Sequence, residues 1–407
     1  MEEKKNTINV VMLPWLAHGH ISPFLELAKK LTTRNFHIYL CSTPINLSSI
    51  KKNVTKEYCE SIELVELNLP SLPNLPPHYH TTNGLPHHLT NTLIEAFQNA
   101  TPEFSKIVQT LNPDLVIYDL NMTWAAEFAS SINIPAVQFL TFSIAMIVLC
   151  LHMFNKPGVE FPFPEIYMRQ HEMLQMQKLA MENSKVNMKD AFMEAIRQSR
   201  DIILVKDFEK IIPIGSLVHD SIDQNDDQAI MQWLDKKEKG SSVLVSFGSE
   251  WFLSKEEIHE VAQGLELSKM KKISIHDVLP HGFLERVGER GMVLEKWAPQ
   301  ATILKHTSIG GFSMKFGVPI IAMPMCHDQP INARIVEHIG MGVEALRDEN
   351  GKLQSQEIAK VIREVIIEES GEGVRKKTKE LSEKMNMKGD EEIDGVVVEL
   401  VALCNNK

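Results

Sequence analysis

Short apolar runs rich in β-branched residues alternate along this chain with stretches of helical periodicity, and this alternation limits the fold more than any other feature. The run from Ile8 to Leu13, INVVML, has the length and continuous apolarity of a strand buried on both faces. From Ile21 to Leu31 apolar residues recur at helical spacing, with Pro23 tolerated in the first turn. Further strand-like runs follow at Phe36 to Ser42, Ser61 to Leu67, Asp114 to Leu120, Pro135 to Leu140 and Ile202 to Val205. Strands that alternate with helices predict an α/β fold with a parallel sheet.

The alternation resumes after a segment rich in Gly, Pro and Asp, Ile211 to Gln228, which is typical of a linker. Strands are then predicted at Val243 to Gly248, Met292 to Trp297 and Val318 to Pro324, and a helix at Lys255 to Ser268. At roughly 150 residues per domain, the 407 residues correspond to two or three domains, and two Rossmann-sized units are the simplest interpretation. We expect an N-terminal domain (1–212), a linker with a lead-in helix (213–241), a C-terminal domain (242–388) and an amphipathic C-terminal helix (389–407).

The acidic composition excludes several classes of partner. Lys and Arg number 42 against 53 Asp and Glu, which gives a net charge of −11. Such a surface repels nucleic acid and anionic membranes, so a phosphate-bearing ligand must be held locally by backbone amides or a few side chains. The longest apolar stretch, Ile144 to Phe154, is too short to span a bilayer.

The cysteines and the N-terminus predict the compartment. Five isolated cysteines without a CxxC pair indicate a reducing environment. The N-terminal residues MEEKK lack the layout of a signal peptide. We therefore expect a cytoplasmic protein.

Two ionisable residues are predicted at the same edge of the N-terminal sheet. His20 lies at the start of the helix after the first strand, and Asp119 ends a later strand. Ligands of open α/β sheets bind outside the carboxyl ends of the strands. There a neutral His20 can accept the proton of a substrate hydroxyl, and Asp119 can fix its tautomer and stabilise the imidazolium. A surface or capping histidine and an aspartate that caps the next helix are the alternatives, and the pair alone does not separate a hydrolase from a transferase.

A second group of polar residues begins at Trp297. The segments WAPQATILKHTSIGGF and FGVPIIAMPMCHDQ contain an indole, the Gln300 amide, a glycine pair and the terminal Asp328 and Gln329. An indole can stack on a nucleobase, an amide can bind its edge, and glycines let backbone amides approach phosphates. A carboxylate and an amide can also bind sugar hydroxyls. Together these groups predict a nucleotide-sugar site.

These motifs resemble those of the plant family-1 UDP-glycosyltransferases, whose signature begins with WAPQ and closes with DQ, and the similarity extends over nearly the whole chain. The resemblance implies a GT-B fold, in which two Rossmann-like domains face each other across a cleft and the last helix returns to the first domain. It assigns the acceptor to the N-terminal domain and the UDP-sugar to the C-terminal domain. It implies His20 as the general base and Asp119 as its partner. The donor-binding residues that it implies are Thr141, Ser249, Trp297, Ala298, Gln300, Asp328 and Gln329, and the acceptor-binding residues are Trp15 and Phe142.

The resemblance also implies a reaction, the inverting transfer of glucose from UDP-glucose to an acceptor hydroxyl. In the family, a Gln at the end of the signature, here Gln329, usually occurs in enzymes that use glucose as the donor sugar. The motifs GLPHHLT and GDEEID resemble the branch that extends sugars already attached to natural products, so we expect a sugar hydroxyl of a triterpenoid or flavonoid glycoside as the acceptor. We expect a monomer that needs no metal and no cofactor, with UDP-glucose as co-substrate. A catalytically silent binding protein of the same fold and a UDP-sugar epimerase are the alternatives.

The signature is shorter than the family pattern. Trp297 to Gln329 spans 33 residues, whereas the pattern has roughly 44. After Phe312 the family continues with a His-Cys-Gly-Trp-Asn-Ser segment and a Glu, which bind the diphosphate and the ribose. Family segments are similarly missing after Lys210, where a connecting helix is due, and after Ser268, where KMKKISIHD is too charged for a buried strand. If the protein itself lacks these segments, donor binding is expected to be badly impaired.

Two other patterns do not predict a ligand-binding site. Gly340, Gly342 and Ala345 match a dinucleotide fingerprint, but a helix rather than a strand is predicted before them. A Pro-rich loop carries a histidine cluster without the Cys or carboxylate ligands that would complete a metal site, and its members are His78, His80, His87 and His88.

The missing segments generate a prediction about mass. We expect the protein purified from its natural source to be heavier than 46.2 kDa, because the residues after Phe312 supply the diphosphate and ribose contacts of the family. Intact-mass spectrometry measures this directly. A mass of 46.2 kDa would contradict the prediction and show that the protein itself is this short.

Overall fold

The structure is a computed structural model that describes residues 7–120, 122–183, 203–204, 228–246, 253–268, 292, 300–311, 316–388 and 391–405. These residues divide into two compact units. The first comprises the described residues within Met1–Ile147, Leu179–His219 and Asp390–Lys407, and the second those within Val148–Lys178 and Asp220–Gly389. The chain therefore enters the second unit at Val148 and returns at Leu179, a crossing that the predicted domain boundaries do not include.

A parallel sheet forms the centre of the first unit. Its strands are β1 (Ile8–Leu13), β2 (Phe36–Ser42), β3 (Ile62–Glu66), β4 (Leu115–Tyr118), β5 (Ala136–Phe139) and β6 (Ile203–Leu204). They lie in the order β3-β2-β1-β4-β5-β6, and each neighbouring pair is parallel. The predicted parallel α/β arrangement is confirmed for this unit, and the bounds of β1 and β2 agree with the sequence pattern.

Helices pack on both faces of this sheet. They are α1 (His18–Thr32), α2 (Pro44–Ile50), α3 (Thr90–Gln98), α4 (Thr101–Leu111) and α5 (Thr123–Ser131), and a further helix, α6 (Ile144–Asn155), begins in this unit. Val10 and Met12 lie in a buried cluster with α1, whereas Val11 and Leu13 lie in a second cluster with α3, α4 and α5. Successive strand residues point to opposite faces of a sheet. Because both faces of β1 make apolar contacts, its sequence is a continuous apolar run.

The second unit combines helices with two short strand pairs. Its helices are α7 (Gln170–Asn183), which ends in the first unit, α8 (Gln228–Leu234), α9 (Lys255–Leu267), α10 (Gln300–Lys305), α11 (Gln329–His338), α12 (Ser355–Ile362) and α13 (Glu372–Lys388). Strand β7 (Ser242–Val243) pairs in parallel with β8 (Ile309–Gly311), and β9 (Ile320–Ala322) pairs in parallel with β10 (Gly342–Glu344). Within the described part of the chain these pairs are separate sheets. The predicted strand Met292 to Trp297 lies outside the described residues, apart from Met292.

Capping and close packing explain helix α9. Ser254 Oγ accepts a hydrogen bond from the Glu257 backbone N–H at 3.1 Å, and Glu257 Oε2 accepts one from the Ser254 backbone at 3.0 Å. Gly264 lets the helix approach α12, because a Cβ atom there would lie 2.7 Å from Ile358. The helix predicted from Lys255 to Ser268 is therefore confirmed.

The glycines between α11 and β10 do not form a dinucleotide site. Gly340 and Gly342 follow α11 and lead into β10, so the segment runs from helix to strand and lacks the strand-turn-helix context of a dinucleotide site.

Among the described residues, no helix is both long and apolar enough to cross a membrane.

The C-terminal helix α14 (Glu391–Asn405) packs in the first unit, as predicted. Ile393, Val396 and Leu400 recur on one helix face and are buried in the cluster that contains β1 and α1. Arg34 Nε donates to Asp394 Oδ1 at 2.6 Å and links the start of α14 to the end of α1. The last residues of the chain thus complete the core of the first unit.

Two valines of α14 test this packing. Val396 is 0 % exposed and Val398 is 66 % exposed. Val396→Ala is expected to lower the free energy of unfolding by about 2 kcal/mol, because it removes buried apolar groups and leaves a cavity. Val398→Ala is the matched control, since both substitutions change helix propensity equally. Chemical denaturation measures both, and equal effects would contradict the packing of α14.

Candidate active site

The sheet of the first unit brings His20 and Asp119 together. His20 lies in the first turn of α1, directly after β1, and Asp119 directly follows β4. The two strands are parallel neighbours with Leu13 opposite Tyr118, so the residues that follow them emerge at the same edge. His20 Nδ1 lies 2.6 Å from Asp119 Oδ2. The predicted pair is therefore formed.

The Asp119 carboxylate is buried and held by N–H donors. Its side chain is 0 % exposed. Oδ2 accepts a hydrogen bond from the Trp15 backbone at 3.0 Å, and Oδ1 accepts one from the Leu120 backbone at 2.7 Å. Charged acceptors are stabilised by such donors. The alternative role, capping of the next helix, is not observed, because α5 begins after Met122 without a side-chain cap.

The surroundings of His20 fix its tautomer. An ionised carboxylate accepts hydrogen bonds and cannot donate, so Nδ1 carries the proton towards Asp119 and Nε2 carries the lone pair of the neutral ring. Thr141 Oγ1 lies 3.0 Å from Nδ1, and the Phe142 ring meets the imidazole edge-on with centroids 5.7 Å apart. The His20 side chain is 14 % exposed. These contacts orient an imidazole whose basic nitrogen is Nε2.

Thr141 and Phe142 follow β5, the neighbour of β4 in the sheet. The resemblance assigned Thr141 to the donor sugar, and the contact between its hydroxyl and His20 Nδ1 was not anticipated. The signal that was present is positional, since Thr141 ends the apolar run PAVQFL and so lies at the same sheet edge.

Trp15 supports the site through its backbone and its ring. Its N–H donates to Asp119, and its ring packs edge-on against Phe97 with centroids 5.3 Å apart. The neighbouring Leu16 carbonyl accepts a hydrogen bond from the Thr82 backbone at 3.0 Å. The loop between Trp15 and α1 is thus held between the sheet and the Pro-rich loop. Sequence reasoning missed the bond between Leu16 and Thr82 because neither residue belongs to a motif.

The histidines of the Pro-rich loop do not gather around a metal position. Among the described residues, no group of three or more His, Cys, Asp or Glu side chains is arranged to hold a metal ion. His80 is 8 % exposed, and burial lowers its pKa although a hydrogen bond with the Leu75 backbone opposes the shift. A neutral, buried His80 therefore fastens this loop.

Asp328 and Gln329 lie at the N-terminus of α11 in the second unit. Asp328 Oδ2 accepts a hydrogen bond from Asn332 Nδ2 at 3.0 Å. Gln329 Oε1 accepts one from the Met325 backbone at 2.8 Å, which fixes the orientation of the side-chain amide. His327, just before them, has a left-handed backbone with φ 56°. The loop before α11 is thus tightly turned and fastened by the Gln329 side chain.

Gln300 is the first residue of α10, and its Nε2 donates to Ser246 Oγ at 3.1 Å. Ser246 follows β7, so the structure joins the start of the WAPQ helix to the segment that leads towards Ser249. Ser249, Trp297 and Ala298 lie outside the described residues. Their expected donor roles remain predictions.

Two family patterns match this chain. Residues 6–202 match the glycosyltransferase N-terminal domain, and residues 165–382 match the pattern described as UDP-glucoronosyl and UDP-glucosyl transferase. Together they extend over nearly the whole chain.

Curated plant enzymes are similar over almost their full length. UDP-glucosyltransferase 29 of Panax ginseng is 48% identical over 445 aligned positions that cover 100% of this chain and 99% of the relative. Beta-D-glucosyl crocetin beta-1,6-glucosyltransferase of Gardenia jasminoides is 47% identical, with coverage of 96% and 98%. The 445 aligned positions exceed the 407 residues of this chain by 38, so the ginseng relative has at least that many residues without a counterpart here. The alignment thus supports the gaps inferred from the signature.

Solved structures share the fold. The Glycyrrhiza uralensis protein UGT73P12, complexed with glycyrrhetinic acid 3-O-monoglucuronide, matches with a TM-score of 0.81 at 18% identity, covering 98% of this chain and 96% of that one. The Medicago truncatula protein UGT71G1, complexed with UDP-glucose, matches with a TM-score of 0.76 at 22% identity, covering 98% and 99%. These likenesses show the GT-B fold. With the matched family patterns and the curated relatives, they establish that the chain belongs to the UDP-glycosyltransferase family of plants.

Proposed function

We propose that this protein transfers glucose from UDP-glucose to a hydroxyl group of a small-molecule acceptor, with inversion at the anomeric carbon. The observation that carries the proposal is the 2.6 Å contact between His20 Nδ1 and the buried Asp119 carboxylate, which leaves the lone pair on Nε2. A histidine held in this tautomer at the carboxyl edge of a parallel sheet is suited to act as a general base.

In the proposed reaction the acceptor hydroxyl donates a hydrogen bond to His20 Nε2. Its proton moves to Nε2 as its oxygen attacks the anomeric carbon, and a new C–O bond forms. The bond between that carbon and the UDP oxygen breaks, and UDP leaves with the electron pair. Attack from the face opposite UDP inverts the configuration. Asp119 stabilises the imidazolium that results.

Asp328 and Gln329 are proposed to bind the sugar hydroxyls, Gln329 through its Nε2 N–H groups. The uracil is assigned to Trp297, Ala298 and Gln300. For the diphosphate we propose backbone amides and Ser249, and for the sugar also Thr141, whose hydroxyl neighbours His20. Because these groups can offset the diphosphate charge, we propose that neither a metal nor a cofactor takes part.

The acceptor is proposed to be a glycoside, and the reacting group a hydroxyl of its sugar. The Gardenia jasminoides relative is named for an action on glucosyl crocetin, and a 42% identical relative from Citrus maxima is a flavanone 7-O-glucoside rhamnosyltransferase. A 45% identical relative from Siraitia grosvenorii is named mogroside IIIx synthase. A triterpenoid or flavonoid glycoside is the acceptor class that follows, with Trp15 and Phe142 in contact with its apolar part.

We further propose that the protein works as a monomer in the cytosol. None of the five cysteines forms a disulfide, which suits a reducing compartment. One observation favours a second candidate, a silent glycoside-binding protein: the chain lacks the family segment after Phe312 that binds the diphosphate.

Acceptor-dependent release of UDP separates the candidates. The protein is incubated with UDP-glucose, with and without mixed natural-product glycosides, and released UDP is measured. A transferase releases UDP when the acceptor is present. A silent binding protein releases none, and an epimerase converts the UDP-sugar without acceptor. Either of the last two outcomes would overturn the proposed reaction.

His20→Ala is expected to lower kcat by about 10²- to 10⁴-fold, because the general base is lost. The affinity for UDP, measured by calorimetry, is expected to stay unchanged because His20 is proposed to act on the acceptor hydroxyl and not on UDP. His259→Ala removes an exposed histidine of α9 and is the control. Normal turnover by His20→Ala would rule out the base assignment.

Asp119→Asn tests the tautomer. An amide in place of the carboxylate can donate to Nδ1, which moves the imidazole proton to Nε2 and blocks the base, so kcat is expected to fall by about 10²- to 10⁴-fold. Asp114→Asn, at the opposite end of β4, is the matched control, since Asp114 accepts the Asn9 backbone N–H at 3.0 Å. Equal kcat values for the two variants would contradict the role of Asp119.

A further inference from the structure

A network of two arginines and two glutamates lies in the second unit, and all of its members except the partly exposed Arg169 are buried. Arg169 Nη1 contacts Glu344 Oε1 at 2.6 Å, and Arg334 Nη2 contacts Glu172 Oε1 at 2.6 Å. Arg334 Nη1 also lies 3.0 Å from Glu344 Oε2, and Arg169 Nη1 lies 3.3 Å from Glu172 Oε1. Each charge therefore meets two of opposite sign. The Tyr167 ring lies against both guanidinium groups, 5.9 Å from that of Arg169 and 5.2 Å from that of Arg334.

The burial of these groups makes them depend on one another. The side chains of Arg334, Glu344 and Glu172 are 2%, 1% and 6% exposed. Burial raises the pKa of Glu344, although Arg169 and Arg334 oppose the shift. Loss of one arginine would therefore leave a carboxylate buried with half of its compensating charge.

The network is attached directly to the first turn of α11. Arg334 is itself a residue of α11, and its Nη1 donates to the Pro330 carbonyl in the first turn at 2.8 Å, one residue after Gln329. Further along the helix, Glu337 Oε1 accepts a hydrogen bond from the Glu344 backbone at 2.9 Å. Helix α11 is thus fixed to β10 near its end and to the network near its start.

The other side of the network is the beginning of α7. Glu172 Oε2 accepts a hydrogen bond from the Arg169 backbone at 2.6 Å. This bond fixes the positions of the two residues whose side chains contact α11 and β10. His171, between them, packs on Gly351, where a Cβ atom would lie 3.1 Å from its ring. The segment from Tyr167 to Glu172 therefore joins α11, β10 and the loop after β10.

We propose that Arg169 and Glu172 are positioning residues for the donor sugar. By holding Arg334, they fix the first turn of α11 and with it the Asp328 and Gln329 side chains that bind the sugar hydroxyls. The proposal rests on the proposed function of those two side chains. Arg169 and Glu172 themselves do not touch the sugar.

Binding of UDP-sugars without acceptor tests this role. Calorimetry with UDP, UDP-glucose and UDP-galactose gives a Kd for each, and the ratios of these Kd values do not depend on the fraction of folded protein. Arg169→Leu is expected to raise the Kd of UDP-glucose about five-fold or more and to reduce the discrimination against UDP-galactose, because misplaced sugar ligands distinguish the 4-hydroxyl less well. The Kd of UDP is expected to stay within about two-fold, since Asp328 and Gln329 bind only the sugar.

Two variants and one control complete the design. Arg169→Lys keeps a cation beside Glu344 and is expected to recover part of the discrimination. Glu172→Gln keeps the size of the side chain and tests the same role if Arg169→Leu does not fold. Arg363→Leu, which removes a surface arginine bonded to the Leu267 carbonyl in the same unit, should bind like the wild type.

The outcomes separate the two proposals. If the wild type binds UDP-glucose and Arg169→Leu lowers only the melting temperature, the network is structural and the positioning role is wrong. If the wild type discriminates but releases no UDP with any acceptor, the proposed reaction fails while the Kd values still decide the positioning role. If the wild type does not distinguish UDP-glucose from UDP-galactose, the proposed sugar contacts of Asp328 and Gln329 and the positioning role are both wrong, while acceptor-dependent UDP release still decides the proposed reaction.

Discussion

The parallel pairing of β1 with β4 is the constraint on which the candidate active site depends. It sets Leu13 opposite Tyr118 and lets the Asp119 backbone donate to the Leu13 carbonyl at 3.2 Å. A shift of one residue in this register would turn Asp119 to the other face of the sheet. The buried carboxylate then needs donors, which the Trp15 and Leu120 backbones and His20 supply. The strand register thus determines which ring nitrogen of His20 is basic.

Sequence patterns predicted the parts of the molecule that burial controls. The bounds of β1 agree with the run Ile8 to Leu13, because a strand covered on both faces is apolar along its whole length. The His20 and Asp119 pair was predictable because parallel strands end at one edge, whatever the details of the loops. The α/β class and the position of His20 and Asp119 at one edge of the sheet thus followed from the periodicity of the sequence.

Contacts between distant side chains were not predictable in this way. Thr141 and His20 are separated by 121 positions, and Arg169 and Glu344 by 175. No periodic pattern relates such residues, and a charged residue in a polar segment is most often solvated. The passage of residues 148–178 into the second unit also has no sequence signal, since α6 and α7 each extend across a unit boundary. These features depend on tertiary packing, which a single sequence does not display.

The connection between β8 and β9 in the second unit is short. Strand β8 ends at Gly311 and β9 begins at Ile320, so eight residues separate them. Neighbouring parallel strands need a crossover of about a dozen residues or more, usually a helix. With about 11 more residues, as in the family pattern, the connection would be long enough for that helix, whose N-terminus would bind the diphosphate. Within the described residues β8 and β9 belong to separate strand pairs. If the protein itself lacks that helix, the proposed sugar contacts of Asp328 and Gln329 would carry a larger share of donor binding, and the ion pairs that fix α11 would matter more.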